Sequence, residues 1–503
     1  MPSRELSDPP NGVTSRDEHW DTLSPHENLR IIKNVIILGF AFMVHFTAFH
    51  GTSNLQSSVN SDASLGTFTL AAIYGSLILS NIFLPAAIIS FLGCKWTIAI
   101  SFIAYMPFIA SQFYPRAYTL LPAGLAVGFG GGPLWCAKCT YLTVVAEAFS
   151  QFGGRHRMGQ KSEVTVVRFF GLFFVFYQMA QVWGNLISSS VLTHLTGTSN
   201  ESFEANSTAY LLRDVSTICG SNFCPNSANA MENSNLRPPD PRHIHILSGI
   251  FLACMVTACL AVTFGVDSLT RYQKKRQGAA AGLSGLKLLA VTLKQLKERY
   301  QLLLLPITAF IGAEQAFVAV DFTASFIACG WGISRIGYAM ICFGVANAVG
   351  SAVAGALTKI TGRLPVLLGN LILHSCLIFW MQFWHPVASD GLVYCTMAAL
   401  WGLADGVWLV QINALSGILF PGKEEAAFSN FRLWEATGSV VTYSLSPYLC
   451  SHTKLYLLFA LMLIGMAGYS TIEMMEKKQK NNPPNEKSFE LVTGNDEMEK
   501  NGI

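Results

Sequence analysis

The sequence is dominated by apolar blocks of about twenty residues, which short polar joints separate from one another. A helix of about twenty residues rises about 30 Å, which matches the hydrocarbon core of a bilayer. Of the 503 residues, 51% are hydrophobic and only 13% are charged. The pattern predicts an all-α polytopic membrane protein with twelve transmembrane helices, at 31–50, 70–92, 97–113, 120–145, 169–192, 244–266, 302–327, 336–357, 364–384, 392–420, 431–449 and 455–472.

The distribution of basic residues predicts the orientation of these spans. An even number of spans places both chain ends on one side, and roughly twenty Lys and Arg residues flank the spans there, against about six on the other side. Much of this excess lies in the joints after the fourth and sixth spans, at residues 155–168 and 271–276. We therefore expect both termini to be cytoplasmic. We place the protein in the plasma membrane in preference to the endolysosomal membrane.

The spans divide the chain into segments. Four leucines, Leu286, Leu289, Leu293 and Leu296, recur at helical spacing between lysines, which predicts an amphipathic helix at the membrane surface. We expect a cytoplasmic tail (1–30), a six-helix half (31–266) with a lumenal or extracellular loop (193–242), a cytoplasmic linker with the amphipathic helix (267–300), a second six-helix half (301–473) and a disordered cytoplasmic tail (474–503).

The loop at 193–242 carries signals of an oxidising compartment. Asn200 and Asn206 each begin an N-x-[ST] sequon, which predicts glycosylation on this side of the membrane. Cys219 and Cys224 are close enough in sequence to form a small disulfide with each other, and two free thiols are the alternative.

An internal repeat predicts the arrangement of the two halves. Trp135 in the fourth span and Trp408 in the tenth both begin the pattern W-x-x-[KQ]-x-x-x-L, and their spans are six apart. Short joints with glycine and a basic residue follow both the second and the eighth span. Two six-helix halves around a central axis are therefore expected, as in the major facilitator superfamily. The glycines at 128 and 130–132 favour close helix packing over a nucleotide loop.

Ionisable side chains inside the spans are the candidate functional residues, because a charge in a bilayer is expensive. Asp405 shares a helix face with Trp401 and Trp408, and Gln411 lies near the same end. Asp405 could be a satisfied hydrogen-bonding group or could handle a ligand or ion. We expect Lys138 to pair with a buried carboxylate such as Asp405, with extension of its side chain to water as the alternative.

Two acidic residues in the seventh span form a second candidate. Glu314 and Asp321 are seven residues apart, which places them two turns apart on one face of a regular helix. They could relay a proton or cation. Alternatively, Glu314 accepts a hydrogen bond from a neighbouring span and Asp321 lies near the outer water interface. A central cavity or ion site would then comprise Lys138, Glu314, Asp321, Asp405 and Gln411. Arg432 and Glu435 are spaced to form a local ion pair.

A set of motifs occurs in both halves, in the stretches at 55–58, 73–75, 83–85, 133–135, 139–143 and 182–188 in the first half, and at 337–343, 400–405, 425–428 and 430–436 in the second. These motifs resemble those of the uncoordinated-93 family within the major facilitator superfamily. Lys138 departs from this pattern, since a glutamine is expected there.

The resemblance covers residues 30–475 and implies a function without catalysis. Members of that family include a regulatory subunit of a two-pore-domain potassium channel and a trafficking chaperone of nucleic-acid-sensing Toll-like receptors. It therefore implies an accessory or regulatory protein whose partners are membrane lipid and a potassium channel or another membrane protein. A secondary transporter of a solute or ion is the alternative. We expect no catalytic residues, no cofactor, no metal and no nucleic acid partner.

Overall fold

The computed structural model describes residues 27–59, 63–152, 162–196, 217–225, 239–269, 294, 296–420 and 424–481. Every regular element in this part of the chain is a helix, so the all-α prediction is confirmed. Twelve helices are long, and we number them α1 (Glu27–Ser53), α2 (Ala63–Phe83), α3 (Pro85–Ala110), α4 (Ala117–Phe152), α5 (Ser162–Thr196), α6 (Pro241–Leu260), α7 (Arg299–Ala316), α8 (Ile336–Thr361), α9 (Arg363–Phe383), α10 (Gly391–Leu419), α11 (Glu424–Leu445) and α12 (Ser451–Asn481).

Eleven of these helices are long and apolar enough to cross a membrane, and α11 is the exception. It contains Arg432 and Glu435 together with several serines and threonines, which lowers its mean hydropathy. It packs against α7 in its own half and against α2 in the other half. A helix enclosed by other helices does not need an apolar surface all round, and this explains its composition.

Local signals in the sequence set several helix boundaries. The Asp240 side chain accepts a 2.8 Å hydrogen bond from the Arg242 backbone N–H and caps α6, whose first residue is Pro241. Gly362 separates α8 from α9 and has a φ of +87°, a conformation that favours glycine.

The helices form two bundles of six that meet along two helix pairs. In the N-terminal half α1 packs on α5 and α6, and α4 packs on α2 and α3. In the C-terminal half α8 and α9 pack on α10, while α7 packs on α11 and α12. The halves join where α2 meets α11 and where α5 meets α8. Equivalent helices therefore occupy equivalent places in the two halves, as the repeat predicted.

Glycines allow the closest helix approaches. A Cβ added at Gly128 of α4 would meet the Ile73 carbonyl of α2, and one at Gly132 would meet Ser80. The prediction that these glycines serve helix packing is confirmed. On α10, a Cβ at Gly406 would likewise collide with the Asn347 carbonyl of α8.

The predicted disulfide between Cys219 and Cys224 is wrong. Cys219 bonds to Cys329, which lies between α7 and α8, and Cys224 bonds to Cys450 between α11 and α12. Nearness in sequence suggested the first pairing, but the partners are brought close only by the folded bundle, across 110 and 226 residues. We call the segment 217–225 the strap. We call the end of the bundle under the strap the disulfide face.

The strap fastens the loop between α5 and α6 to the C-terminal half. Besides its two disulfides, the Ser221 hydroxyl donates to the Gln382 carbonyl at 2.9 Å, and the Phe223 carbonyl accepts from the Ser451 backbone N–H at 2.9 Å. A segment within the N-terminal half of the sequence is therefore covalently bonded to the surface of the other half.

Contacts between the halves lie toward the disulfide face. Gly337 of α8 leaves room for the Asn185 carbonyl of α5, and the Ser189 hydroxyl donates to the Ser334 carbonyl at 3.0 Å. Tyr74 of α2 meets Tyr443 of α11 with ring centroids 5.5 Å apart.

On the opposite face, a partly exposed polar contact joins α1 to the chain that follows α6. Arg30 donates to both carboxylate oxygens of Asp267, at 2.6 and 3.0 Å, and Asn34 donates to one of them at 3.1 Å. The Tyr141 hydroxyl of α4 donates to the Asp267 carbonyl. Mainly because Arg30 donates to it, the Asp267 carboxyl has its pKa lowered to about 2.

Candidate functional site

A cluster of polar side chains lies inside the C-terminal half, between α7, α8, α9 and α10. Trp401, Asp405 and Trp408 point to it from one face of α10, because they are four and three residues apart. All three side chains are buried. We call this group the carboxyl cluster, and it comprises Glu314, Gln315, Asn347, His374, Trp401, Asp405 and Trp408.

Among the described residues, Glu314 receives a hydrogen bond from one indole N–H and none from a cation. The Trp401 indole N–H donates to Glu314 Oε2 at 2.6 Å, and His374 Nε2 is 3.8 Å from the same oxygen. The Trp408 indole donates to His374 Nδ1 at 3.1 Å. Since Nδ1 is an acceptor, a neutral imidazole carries its hydrogen on Nε2 and turns it toward Glu314.

Asp405 is held by two amides. Gln315 Nε2 donates to Asp405 Oδ1 at 2.9 Å, and Asn347 Nδ2 donates to Oδ2. Glu314 lies beside Asp405, because Gln315, its neighbour on α7, donates to Asp405, and Trp401, one turn before Asp405 on α10, donates to Glu314. Of these neighbours, the sequence analysis selected Glu314 and Asp405 but missed both amides. Asn347 interrupts an otherwise apolar span, and this was the available signal.

The cluster touches the N-terminal half through Asn347. Gln178 Nε2 of α5 is 3.5 Å from Asn347 Oδ1, and the other end of the same amide donates to Asp405. One asparagine therefore connects a buried carboxylate of one half to an amide of the other.

The predicted pair between Lys138 and Asp405 is not formed. Lys138 is buried, and its ammonium lies 4.7 to 5.2 Å from the ring centroids of four aromatic residues. Three of these rings come from α5, beside which α4 packs, so Lys138 faces its own half and not the C-terminal half. Cation–π attraction and the aromatic enclosure replace the expected carboxylate. The four rings belong to Trp135, Phe170, Phe173 and Phe174.

Asp321 does not join Glu314 in one site. Its carboxylate accepts from Lys454 at the start of α12 and from the Ser446 hydroxyl. After Ala316 the seventh span continues as a wider π-helix over Phe317–Ala328. In such a helix each turn takes up more residues, so seven residues no longer complete two turns and the predicted common face is lost.

Other predicted residues have local roles. Gln411 donates to the Thr358 hydroxyl at 2.6 Å and to the Ala354 carbonyl at 3.2 Å, and so ties α10 to α8 away from Asp405. The predicted ion pair of Arg432 with Glu435 is confirmed, at 2.8 Å. The Arg432 side chain is 59% exposed and lies within electrostatic reach of Lys138 and Tyr177 in the other half.

Some predictions fall outside the described residues. They include the sequon asparagines Asn200 and Asn206, most of the amphipathic helix predicted at 286–297, and most of the tails predicted at 1–30 and 474–503. Where side chains are described, no group of three or more His, Cys, Asp or Glu is arranged to hold a metal ion.

The two bundles of six helices, with polar clusters enclosed inside them, define a multi-pass membrane protein of major-facilitator architecture. A crystal structure of the nucleoside transporter NupG is similar, with a TM-score of 0.57 and 11% identity over 88% of this chain and 98% of that chain. At this identity the likeness shows the fold alone. The chain belongs to the UNC-93 family, since the family model described as "Ion channel regulatory protein UNC-93" matches residues 57–469.

Relatives support the same membership. The protein unc-93 homolog A of Xenopus laevis is 39% identical over 450 residues, which is 89% of this chain and 94% of that protein. The "putative potassium channel regulatory protein unc-93" of Caenorhabditis elegans is 33% identical over 455 residues, which is 88% of this chain and 61% of that protein. The resemblance that the sequence motifs indicated is confirmed.

Proposed function

We propose that the chain is a non-catalytic membrane protein that regulates another membrane protein, with a potassium channel as the partner class. The observation that carries this proposal is membership of a family described as ion channel regulatory proteins, across residues 57–469. A relative named as a potassium channel regulator is similar to this chain over 88% of this chain's length.

The interior of the C-terminal half supports this proposal. Glu314, Asp321 and Asp405 are each held by side chains of this protein. A carboxylate that already accepts hydrogen bonds from its own protein must give them up before it can hold a solute. Stable internal bonding of this kind fits a protein that presents its outer surface to a partner.

The strap supports the predicted orientation. Two disulfides at one face fit an oxidising compartment on that side of the membrane. The loop that contains the strap also contains Asn200 and Asn206, which we propose are glycosylated. Both termini then lie on the cytoplasmic side, and we propose the plasma membrane as the site of function.

The test is electrical recording from cells that express a two-pore-domain potassium channel with or without this protein. We expect the whole-cell potassium current to change when both proteins are present. A change in current at an unchanged surface amount of channel indicates an effect on gating. A change in current together with a change in that surface amount indicates an effect on delivery. A current and a surface amount that are unaltered across the channels of this class would overturn the proposal.

A further inference from the structure

The carboxyl cluster places two acidic groups together inside the protein, and neither is paired with a Lys or Arg among the described residues. Glu314 from α7 is fully buried and Asp405 from α10 is 3% exposed. The titratable or charged groups that face them are His374 from α9 and Glu435 from α11, while α8 contributes the neutral Asn347. Glu435 is already paired with Arg432, which leaves two carboxyl groups and one imidazole.

Charge and desolvation exclude two adjacent carboxylates here. A buried ion that lacks a partner loses its hydration, and a second ion of the same sign beside it adds Coulomb repulsion. Two carboxylates also cannot donate to each other, so Glu314 and Asp405 can share a hydrogen bond only when one of them carries a proton. The burial and the neighbours of the two groups therefore favour a bound proton.

Hydrogen-bond directions indicate which carboxyl group holds it. Asp405 accepts an amide N–H on each of its two oxygens, as an ionised carboxylate does. Glu314 accepts the Trp401 N–H on Oε2, while Oε1 is buried and has no donor among the described residues. A hydrogen on Glu314 Oε1 would fill this gap by donating to Asp405.

We propose that the carboxyl cluster is a proton-binding site, in which Glu314 holds the proton, Asp405 accepts it in a hydrogen bond, and Asn347 and Gln178 transmit the state of the site to the contact between the two halves. When the proton leaves, Asp405 loses a donor and gains a negative neighbour. The hydrogen bond from the Asn347 amide then contributes more to stabilising the Asp405 carboxylate. The same amide accepts a hydrogen bond from Gln178 of α5. Proton binding is thereby linked to the packing of α5 on α8.

The test is infrared spectroscopy of the purified full-length protein in lipid nanodiscs, titrated between about pH 5 and pH 9. A protonated carboxyl group has a carbonyl stretching band that a carboxylate lacks. We expect this band near neutral pH in the wild type and its loss in Glu314→Gln. The matched control Asp321→Asn should keep the band, because Asp321 forms an ion pair with Lys454 and lies outside the carboxyl cluster.

Isotope labelling of the wild type answers the same question without a substitution. Carbon-13 on the carboxyl groups of glutamate should shift the band, whereas the same label on aspartate should leave it in place. A band that is absent from the wild type, that remains in Glu314→Gln, or that moves only with labelled aspartate would each overturn the assignment to Glu314.

The link to the other half has its own measurement in the same titration. Removing the Asn347 amide in Asn347→Leu leaves the doubly ionised pair with one donor fewer, so the band should persist to a pH higher by about one unit. Gln178→Ala should shift the titration in the same direction by less, because Gln178 acts through Asn347. Gln411→Leu, which alters a different bond between α10 and α8, should leave the titration unchanged. No shift in either Asn347→Leu or Gln178→Ala would overturn the link.

Discussion

Lys138 and Lys454, two of the described lysines, are buried inside the helical bundle and have different surroundings. Lys454 donates to the Asp321 carboxylate and to the Ser446 carbonyl, and only about 5% of either charged side chain is exposed. Lys138 lies among aromatic rings instead. A buried charge left without its partner is strongly destabilising, whereas an ammonium held by rings has no single partner to lose.

A double-mutant cycle distinguishes these surroundings. We expect Asp321→Asn and Lys454→Met each to lower the free energy of unfolding by about 3 kcal/mol, and the double variant to lose clearly less than the sum. The cycle of Lys138→Met with Asp405→Asn serves as the control and should show a coupling energy near zero. Thermal or denaturant unfolding in detergent measures both. Coupling in the control cycle of the size expected for Asp321 and Lys454 would contradict the observed neighbours of Lys138.

Asp267 predicts a pH dependence. Its pKa falls from 3.8 in the unfolded chain to about 2 in the folded protein, chiefly because Arg30 donates to it. A lowered folded pKa gives stability that is present above about pH 4 and is lost as the pH falls through about 2. The difference in unfolding temperature between wild type and Asp267→Asn should therefore shrink over this range. A difference that stays constant with pH would argue against the ion pair.

At the scale of the helix, small residues determine how closely α8 and α10 approach. In Gly406→Ala the new methyl group would meet the Asn347 backbone. Neither helix can shift to relieve this contact without disturbing the carboxyl cluster. We expect a loss of about 1 to 3 kcal/mol in unfolding free energy. Gly369→Ala is the matched control, because no atom lies within 4 Å of a Cβ there, and helix propensity should make it neutral or stabilising. Equal losses in the two variants would refute the close approach.

Double-mutant cycles also test the disulfide pairing. Cys219→Ser and Cys329→Ser should destabilise the protein equally, and the double variant should cost no more than either one, because they remove one bond. Cys219→Ser combined with Cys224→Ser should instead give additive losses, since it removes two bonds. Each bond closes a long loop, for which a loss of about 2 to 5 kcal/mol is typical. Additive losses for Cys219→Ser with Cys329→Ser would support the pairing with Cys224 after all.

The sequence predicted helices well, but it did not predict which buried residues meet. Hydrophobic blocks and glycines define each helix locally, so the twelve helices and the packing role of Gly128 and Gly132 could be predicted. Glu314, Asp321, Asp405 and Lys138 could be recognised as buried charges for the same reason. Their partners depend on how each helix is rotated and on the wide turns after Ala316, which the sequence pattern does not reveal.

At the scale of the whole molecule, the fold and the family point to different functions. NupG, a transporter, has a similar fold, but fold alone does not determine function. The chain belongs to a family described as ion channel regulators. The strap also fixes the loop between α5 and α6 of the N-terminal half onto the C-terminal half, at Cys329 and at Cys450. These observations favour a protein that acts through a partner over one that carries a solute by itself.

The most direct test of a regulatory function is potassium flux in liposomes of defined content. Vesicles would hold this protein alone, a two-pore-domain potassium channel alone, or both together, with the orientation and amount of each protein measured. We predict no potassium flux from this protein alone and a flux through the channel that changes when this protein is present. Potassium flux that this protein sustains without the channel would contradict the regulatory account, as would a channel flux that it leaves unchanged.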